Sequence, residues 1–170
     1  MVEIFCDGAC SVSKRTGGFG VVALKNNLVW YAYNNSATDT TNNREEIKAL
    51  LTALRYTEEK LKKENVTIYS DSAYVVNMFN DWIFKWAANG WRKADKKPIE
   101  NLDLVMELWE YAGNKDFQFY DVKHCDGHSG VLGNEMADAL ATNNITRFRA
   151  LLNKANMKIQ NFDFEYSLGV

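Results

Sequence analysis

Val2, Ile4 and Cys6 alternate with Glu3, Phe5 and Asp7 at the start of the chain. This period of two predicts a strand that ends at Asp7 and runs into a turn at Gly8. Gly17-Gly18 opens a second strand over residues 19–25, and Asn26-Asn27 has the chemistry of a tight hairpin turn into a third over 28–33. After Thr41 the period lengthens: Ile47, Leu50, Leu51, Leu54 and Leu61 recur at helical spacing, with Asn42 or Asn43 placed to cap the start. Residues 66–71 then form a short apolar strand. A helix between the meander and this strand makes a crossover, so the strand is expected to lie parallel to the first. Helices over 73–88 and 102–112, a last strand over 117–123 and a helix over 134–143 complete the order βββαβααβα. That order predicts an α/β domain with a mixed sheet of five strands, an antiparallel meander plus parallel strands, flanked by helices.

Composition narrows the class. A chain of 170 residues is the size of one ordinary domain, and no repeat, low-complexity stretch or linker divides it; its single proline, Pro98, sits in a lysine-rich loop. The start lacks the basic flank and apolar stretch of a signal peptide, and no run has membrane-spanning length, so a cytoplasmic protein without membrane contact is expected. Three cysteines, an odd number, suit a reducing compartment. Cys6, Cys10, His124 and Cys125 have no spacing typical of a zinc finger or ribbon, and buried free thiols are common. A net charge of −2 argues against a polycation that coats nucleic acid; any such binding must come from local basic patches.

The acids carry more information. Asp7 and Asp71 each close an apolar strand, and in open α/β sheets ligands gather at the carboxyl ends of strands. Taken singly, Asp-Gly and Asp-Ser are also ordinary strand-ending turn pairs. Glu46, in the first turn of the long helix, aligns with Leu50, Ala53 and Leu54 on the edge of the apolar face; it could equally be a capping-box glutamate answering Asn43. Its neighbour Glu45 aligns with Lys48 and Thr52 on the face expected to be wet. Asp138 follows Asn134 by one helical turn, in a helix that begins at the glycine-rich loop 127–133. Four carboxylates at one point repel one another and persist only beside a cation. An all-oxygen set suits Mg²⁺ or Mn²⁺ rather than zinc. Two such ions about 4 Å apart support in-line phosphodiester displacement.

Five segments in order carry a resemblance: Asp7-Gly8-Ala9-Cys10; Thr41-Asn42-Asn43-Arg44-Glu45-Glu46; Ser70-Asp71-Ser72-Ala73-Tyr74-Val75; Gly90-Trp91-Arg92 with Lys96-Lys97-Pro98; and Gly127-His128-Ser129-Gly130 through Gly133-Asn134-Glu135-Met136-Ala137-Asp138. Together they resemble the ribonuclease H type 1 family from Val2 to about Thr142. The resemblance implies a monomeric endonuclease that cuts the RNA strand of an RNA/DNA hybrid, leaving 5′-phosphate and 3′-hydroxyl ends, with two Mg²⁺ ions or Mn²⁺ as a substitute. Residues 1–142 would be the catalytic domain. Asp7, Glu46, Asp71 and Asp138 would be the metal ligands, and His128 the mobile histidine that moves a proton or helps product leave; His124 competes for that role but ends a strand. Asn42 would meet the hybrid near a ribose 2′-hydroxyl, and Thr41, Arg44 and Asn101 would hold a phosphate of the DNA strand.

The basic and aromatic stretch from Trp82 through Trp86 and Trp91 to Lys96 and Lys97 is similar to the family's substrate-binding handle, although its tryptophans also suit the core. Ser13 and Ala73 stand where many members carry amides, and Ala87-Ala88-Asn89 lowers the handle's charge. Past Thr142 the resemblance fades. Residues 143–170 are expected to be an extension of packed helix plus tail, with Arg147, Arg149, Lys154 and Lys158 opposite Phe148, Leu151, Leu152 and Ala155. A junction resolvase of the same fold, or a noncatalytic hybrid-binding module, are the alternative readings.

Overall fold

The computed structural model describes residues 1–114, 119–127 and 130–159, and the backbone of 166–168. Its sheet begins with β1 (Val2–Ser11), β2 (Thr16–Lys25) and β3 (Leu28–Ala37), paired antiparallel as the meander. The turn between β2 and β3 is made as the residue pair predicts: Asn26 and Asn27 both take left-handed φ, 50° and 63°. β1 is longer than its period suggests. It continues to Ser11 because Ala9 and Cys10 pair with Gly18 and Gly17, so Asp7 lies inside a strand rather than at its end.

α1 (Asn42–Lys60) is the crossover. Its cap is Thr41, not Asn42 or Asn43: Thr41 is extended and its hydroxyl accepts the Arg44 N–H at 3.2 Å. β4 (Val66–Ser70) follows and pairs parallel with β1, from Val2 beside Val66 to Cys6 beside Ser70. The stretch expected as one helix over 73–88 is α2 (Ala73–Asn77), a π turn (Met78–Trp82) and α3 (Ile83–Ala88). The widened turn keeps Met78, Phe79 and Ile83 all on the buried side, and Asn80 ties it to the sheet by donating to the Val122 carbonyl at 2.9 Å. Next come α4 (Leu102–Ala112), β5 (Tyr120–His124), α5 (Leu132–Ala141) and α6 (Ile145–Lys154). β5 joins β4 in parallel; residues 117 and 118, where that strand was expected to begin, lie outside the described residues.

Among the described residues, the five expected strands become seven. The two additions, β6 (Lys158–Ile159) and β7 (Tyr166–Leu168), come from the C-terminal extension and both pair with β3. The order is β5-β4-β1-β2-β3-β6, with β7 also on β3. The antiparallel meander and parallel strands flanked by helices are the architecture expected. An otherwise open edge of β3 is thereby covered.

The sheet is buried on both faces, which is why β1 shows little of the simple alternation that a half-wet strand would. On one face Val2, Ile4 and Val21 meet Ile47, Leu50 and Leu54 of α1; on the other Phe5, Val22 and Ala32 meet Met136, Ala137 and Leu140 of α5. α6 closes the second core with Phe148 and Leu152. Phe148 is fully buried, so Phe148→Ala should lower the unfolding free energy by about 3–5 kcal/mol, read from urea denaturation with an unchanged slope. A loss below about 1 kcal/mol would mean that α6 is not part of the folded unit.

Candidate active site

The parallel ladder of β1 and β4 stops at Cys6 and Ser70, so the next residue of each chain, Asp7 and Asp71, stands at the same edge. α1 is brought to that edge by Gly8. A Cβ there would collide with the backbone of Glu45 and Glu46, so glycine lets the first turn of α1 lie directly against β1. The result is one cluster: carboxylate oxygens of Asp7, Glu46 and Asp71 lie within 4.8 Å of one another. Asp7 is 4% exposed and Glu46 5%.

Burial, and then the charges of Glu46 and Asp71, push the Asp7 carboxyl far above the ordinary carboxylate range; burial and the Asp71 charge push Glu46 up as well. The two share a hydrogen bond that favours the proton on Asp7, and Glu46 also accepts from the Gly8 backbone. Glu46 Oε2 is buried and has no hydrogen-bond partner among the described residues. An orphaned buried oxygen beside two more carboxylates is a hard-donor set that fits a divalent cation of the Mg²⁺ type. The thiols at this edge are pushed up too, Cys6 by burial and the neighbouring acids and Cys125 to about 11, and soft sulfur donors do not suit a hard ion of the Mg²⁺ type.

Glu45 departs from expectation. It was assigned to the wet face, yet it is fully buried, its carboxylate 2.6 Å from both Lys48 Nζ and Thr40 Oγ1. The extended link before α1 folds Thr40 over the helix start, which periodicity within the helix cannot register.

Asp138 stands apart from the three. α5 reaches this edge because Gly20, the partner of Asp7 across the β1–β2 ladder, has no side chain: a Cβ would strike the backbone of Ala137 and Ala141. From there Asp138 adds to the field that raises Asp7 and Glu46, but it is not in the group within 4.8 Å. Its Oδ2 is instead 2.6 Å from Arg147 Nη1. His128 lies outside the described residues. Its neighbour Gly127 is packed on the cluster, where a Cβ would come 3.1 Å from Asp71 Oδ2. His124 Nε2 is 3.2 Å from the Asp71 backbone oxygen, a contact that ties β5 to the end of β4.

Of the expected substrate contacts, Thr41, Arg44 and Asn101 are brought together. Thr41 caps Arg44's own N–H, and Arg44 Nη1 donates to Asn101 Oδ1 at 3.3 Å. Asn101 makes no side-chain cap bond and sits at φ 58° before α4. Sequence reasoning missed Asp103, which takes two hydrogen bonds from Arg44 at 3.1 and 2.9 Å and is held below the usual carboxylate range by it. Its signal was an acid in the first turn of α4. Asn42 is exposed at the start of α1. Trp82, Trp86 and Trp91 are half-buried against the core, while Lys96 and Lys97 are exposed in a loop bent at Gly90, Trp91 and Lys96 by left-handed φ. Arg147 was noted only as one charge of a basic extension.

Known proteins give this arrangement a family. The sequence profile described as RNase H matches residues 1–146. A ribonuclease H of Thermoanaerobacter sp. (strain X514) is 40% identical over 152 residues, covering 86% of this chain and 91% of that protein. Among solved structures, LC9-RNase H1, a type 1 RNase H with the type 2 active-site motif, has a TM-score of 0.69 at 23% identity, covering 94% of this chain and 86% of that one. A foamy viral protease-reverse transcriptase in complex with RNA/DNA hybrid has a TM-score of 0.71 at 21% identity, covering 87% of this chain and 20% of that one. The fold is therefore ribonuclease H-like. The chain belongs to the ribonuclease H family, hydrolases that act on the RNA strand of RNA/DNA hybrids and depend on a divalent metal.

The cluster has a consequence for stability. Asp7 and Glu46 hold protons more tightly in the folded than in the unfolded chain, where carboxyls titrate near pH 4. Stability from this source is fully present below that range and is lost as pH rises through neutrality toward the raised folded values. Asp7→Asn keeps the shape and the donor to Glu46 without having to hold a proton. In ion-free buffer at pH 8 it should raise the melting temperature, on the order of 5 °C, with little difference at pH 4. Equal melting temperatures at both pH values would mean that the three acids do not repel.

Proposed function

We propose that this chain is an endonuclease that hydrolyses the RNA strand of RNA/DNA hybrids with two Mg²⁺ ions, Mn²⁺ being a possible substitute, held by Asp7, Glu46, Asp71 and Asp138. The observation that carries this reading is the trio of carboxylates within 4.8 Å, two of them buried, with one orphaned oxygen. Ions bound there supply the charge that lowers a water's pKa and stabilises the departing oxygen. Water adds to the phosphorus and the bond to the 3′ oxygen breaks, leaving a 5′-phosphate and a 3′-hydroxyl. Asp7 and Asp71 would hold the ions centrally, Glu46 and Asp138 would complete the ligand set, and His128 would carry a proton or aid product release.

Substrate choice is assigned to groups outside the cluster. Arg44, braced by Asn101 and Asp103, presents a planar cation suited to a phosphate of the DNA strand, with the Thr41 hydroxyl beside it. Asn42 reads the ribose 2′-hydroxyl that separates RNA from DNA. Trp82 and Trp91 stiffen the handle, and Lys96 and Lys97 track the backbone. The foamy viral protein of like fold was solved with an RNA/DNA hybrid, which supports the same substrate class here. Residues 1–142 are read as the catalytic domain, acting as a monomer. A noncatalytic module would retain the repulsion among these acids without use for it.

The test is cleavage of labelled hybrid, duplex DNA, duplex RNA and single strands, with Mg²⁺ or chelator. Only the hybrid should be cut, only with metal, and Asp7→Asn should reduce the rate at least about 1,000-fold, the scale at which loss of a central electrostatic group is felt. Cutting of branched DNA in place of hybrid, or undiminished activity of Asp7→Asn, would refute the assignment. Hybrid affinity should also fall about 40- to 150-fold between 50 and 200 mM salt, for three or four phosphate contacts; a flat response would remove the handle and the Arg44 pocket from substrate binding.

A further inference from the structure

Among the described residues, Asp138 differs from the other three acids in having a cation against it. The Arg147–Asp138 pair is 2.6 Å long, and the two side chains are 39% and 36% exposed, whereas the pairs Lys85–Asp81 and Lys97–Asp95 are 72% and 56%, and 75% and 56%, exposed. The pair is also built rather than casual. Asn144 caps α6 by accepting the Arg147 N–H at 3.1 Å, and the Asn144 N–H donates to the Ala139 carbonyl at 2.7 Å. From β3, the buried Asn34 donates to the Leu140 carbonyl at 3.2 Å and to Asn143 Oδ1 at 3.1 Å, while Asn143 turns the chain at φ 55°. Phe148, next to Arg147, is fully buried. The α5–α6 corner is thus pinned from three sides, and the guanidinium is set over the one acid that stands apart from the cluster.

We propose that Arg147 is a positioning residue that acts as a resident counter-cation for Asp138 and competes with a divalent ion for it, lowering the affinity of the second ion. This rests on the two-ion reading above. A guanidinium paired with a carboxylate reduces that carboxylate's pull on an ion, and its own charge repels a dication nearby. For a single charge about 6 Å from a dication in a watery dielectric, the expected effect is about ten-fold in affinity. The C-terminal extension, in which family resemblance fades, would thereby set how readily the site is filled.

The test uses the full chain without substrate. Calorimetric titration with Mn²⁺ would compare wild type with Asp7→Asn, Arg147→Gln, Arg147→Lys, Asp138→Asn and the double variant Arg147→Gln with Asp138→Asn, each checked for folding by its melting curve. Arg147→Gln should tighten the weaker binding step about ten-fold while changing the stronger step less; Arg147→Lys should stay near wild type. The double variant should gain less over Asp138→Asn alone than Arg147→Gln gains over wild type, because without its partner the guanidinium is no longer held beside the site. If ions bind but Arg147→Gln leaves the weaker step unchanged or weakens it, the counter-cation role is overturned while the metal reading stands. If wild type binds no ion, or Asp7→Asn binds as wild type does, the metal reading itself fails and this inference with it.

Discussion

Holding Asp7, Glu46 and Asp71 within reach of one another costs the folded chain free energy, because each charge is taken from water and set beside its like. The rest of the fold supplies that placement rather than avoiding it. Two parallel strands end their ladder at the same level, a helix start is pressed against one of them, and the buried acids Asp7 and Glu46 meet at a point where an oxygen of Glu46 has no partner among the described residues. Such an arrangement is stable only through the surrounding cores and through a proton or a cation at the site.

Those cores explain why the cluster is rigid enough to be of use. β1 is covered on one face by α1 and on the other by α5, so neither strand nor helix can withdraw to relieve the repulsion without opening apolar surface. Glycines set the distances. Gly8 admits the start of α1, and Gly20, across the ladder from Asp7, admits α5. Arg44 with Asn101 and Asp103, and Arg147 with Asp138, are two further places where a cation is fixed by a neighbouring helix. One lies at the start of α1 and the other at the start of α6, and each cation is matched by an acid.

Much of this could be read from residue order. The hairpin at Asn26-Asn27, the crossover helix, the parallel partner of β1 and the inward turn of Glu46 each follow from local chemistry or from a period, and each is present. Other features turn on contacts that the period within a single element does not register. Glu45 was assigned to solvent by its own helix, but Thr40 and Lys48 enclose it. The cap moved from Asn42 or Asn43 to Thr41 because the link before the helix is extended, and β1 outran its apolar alternation because Gly17 and Gly18 had backbone to offer it. The π turn and the strands β6 and β7 are likewise answers to packing against β5 and to an open edge of β3.

By itself, then, the chain's order of residues determined the class of fold, the acids that could share a site and the oxygen-rich character of that site, since these depend on periods, turn chemistry and donor type. Tertiary structure alone decided that three of the four acids gather within 4.8 Å while Asp138 is drawn to Arg147, and that Arg44 is braced by Asp103. The reason is physical: charge interactions fall off over a few ångströms, and which groups come that close is set by helices crossing a sheet, a relation that spacing along the chain does not encode.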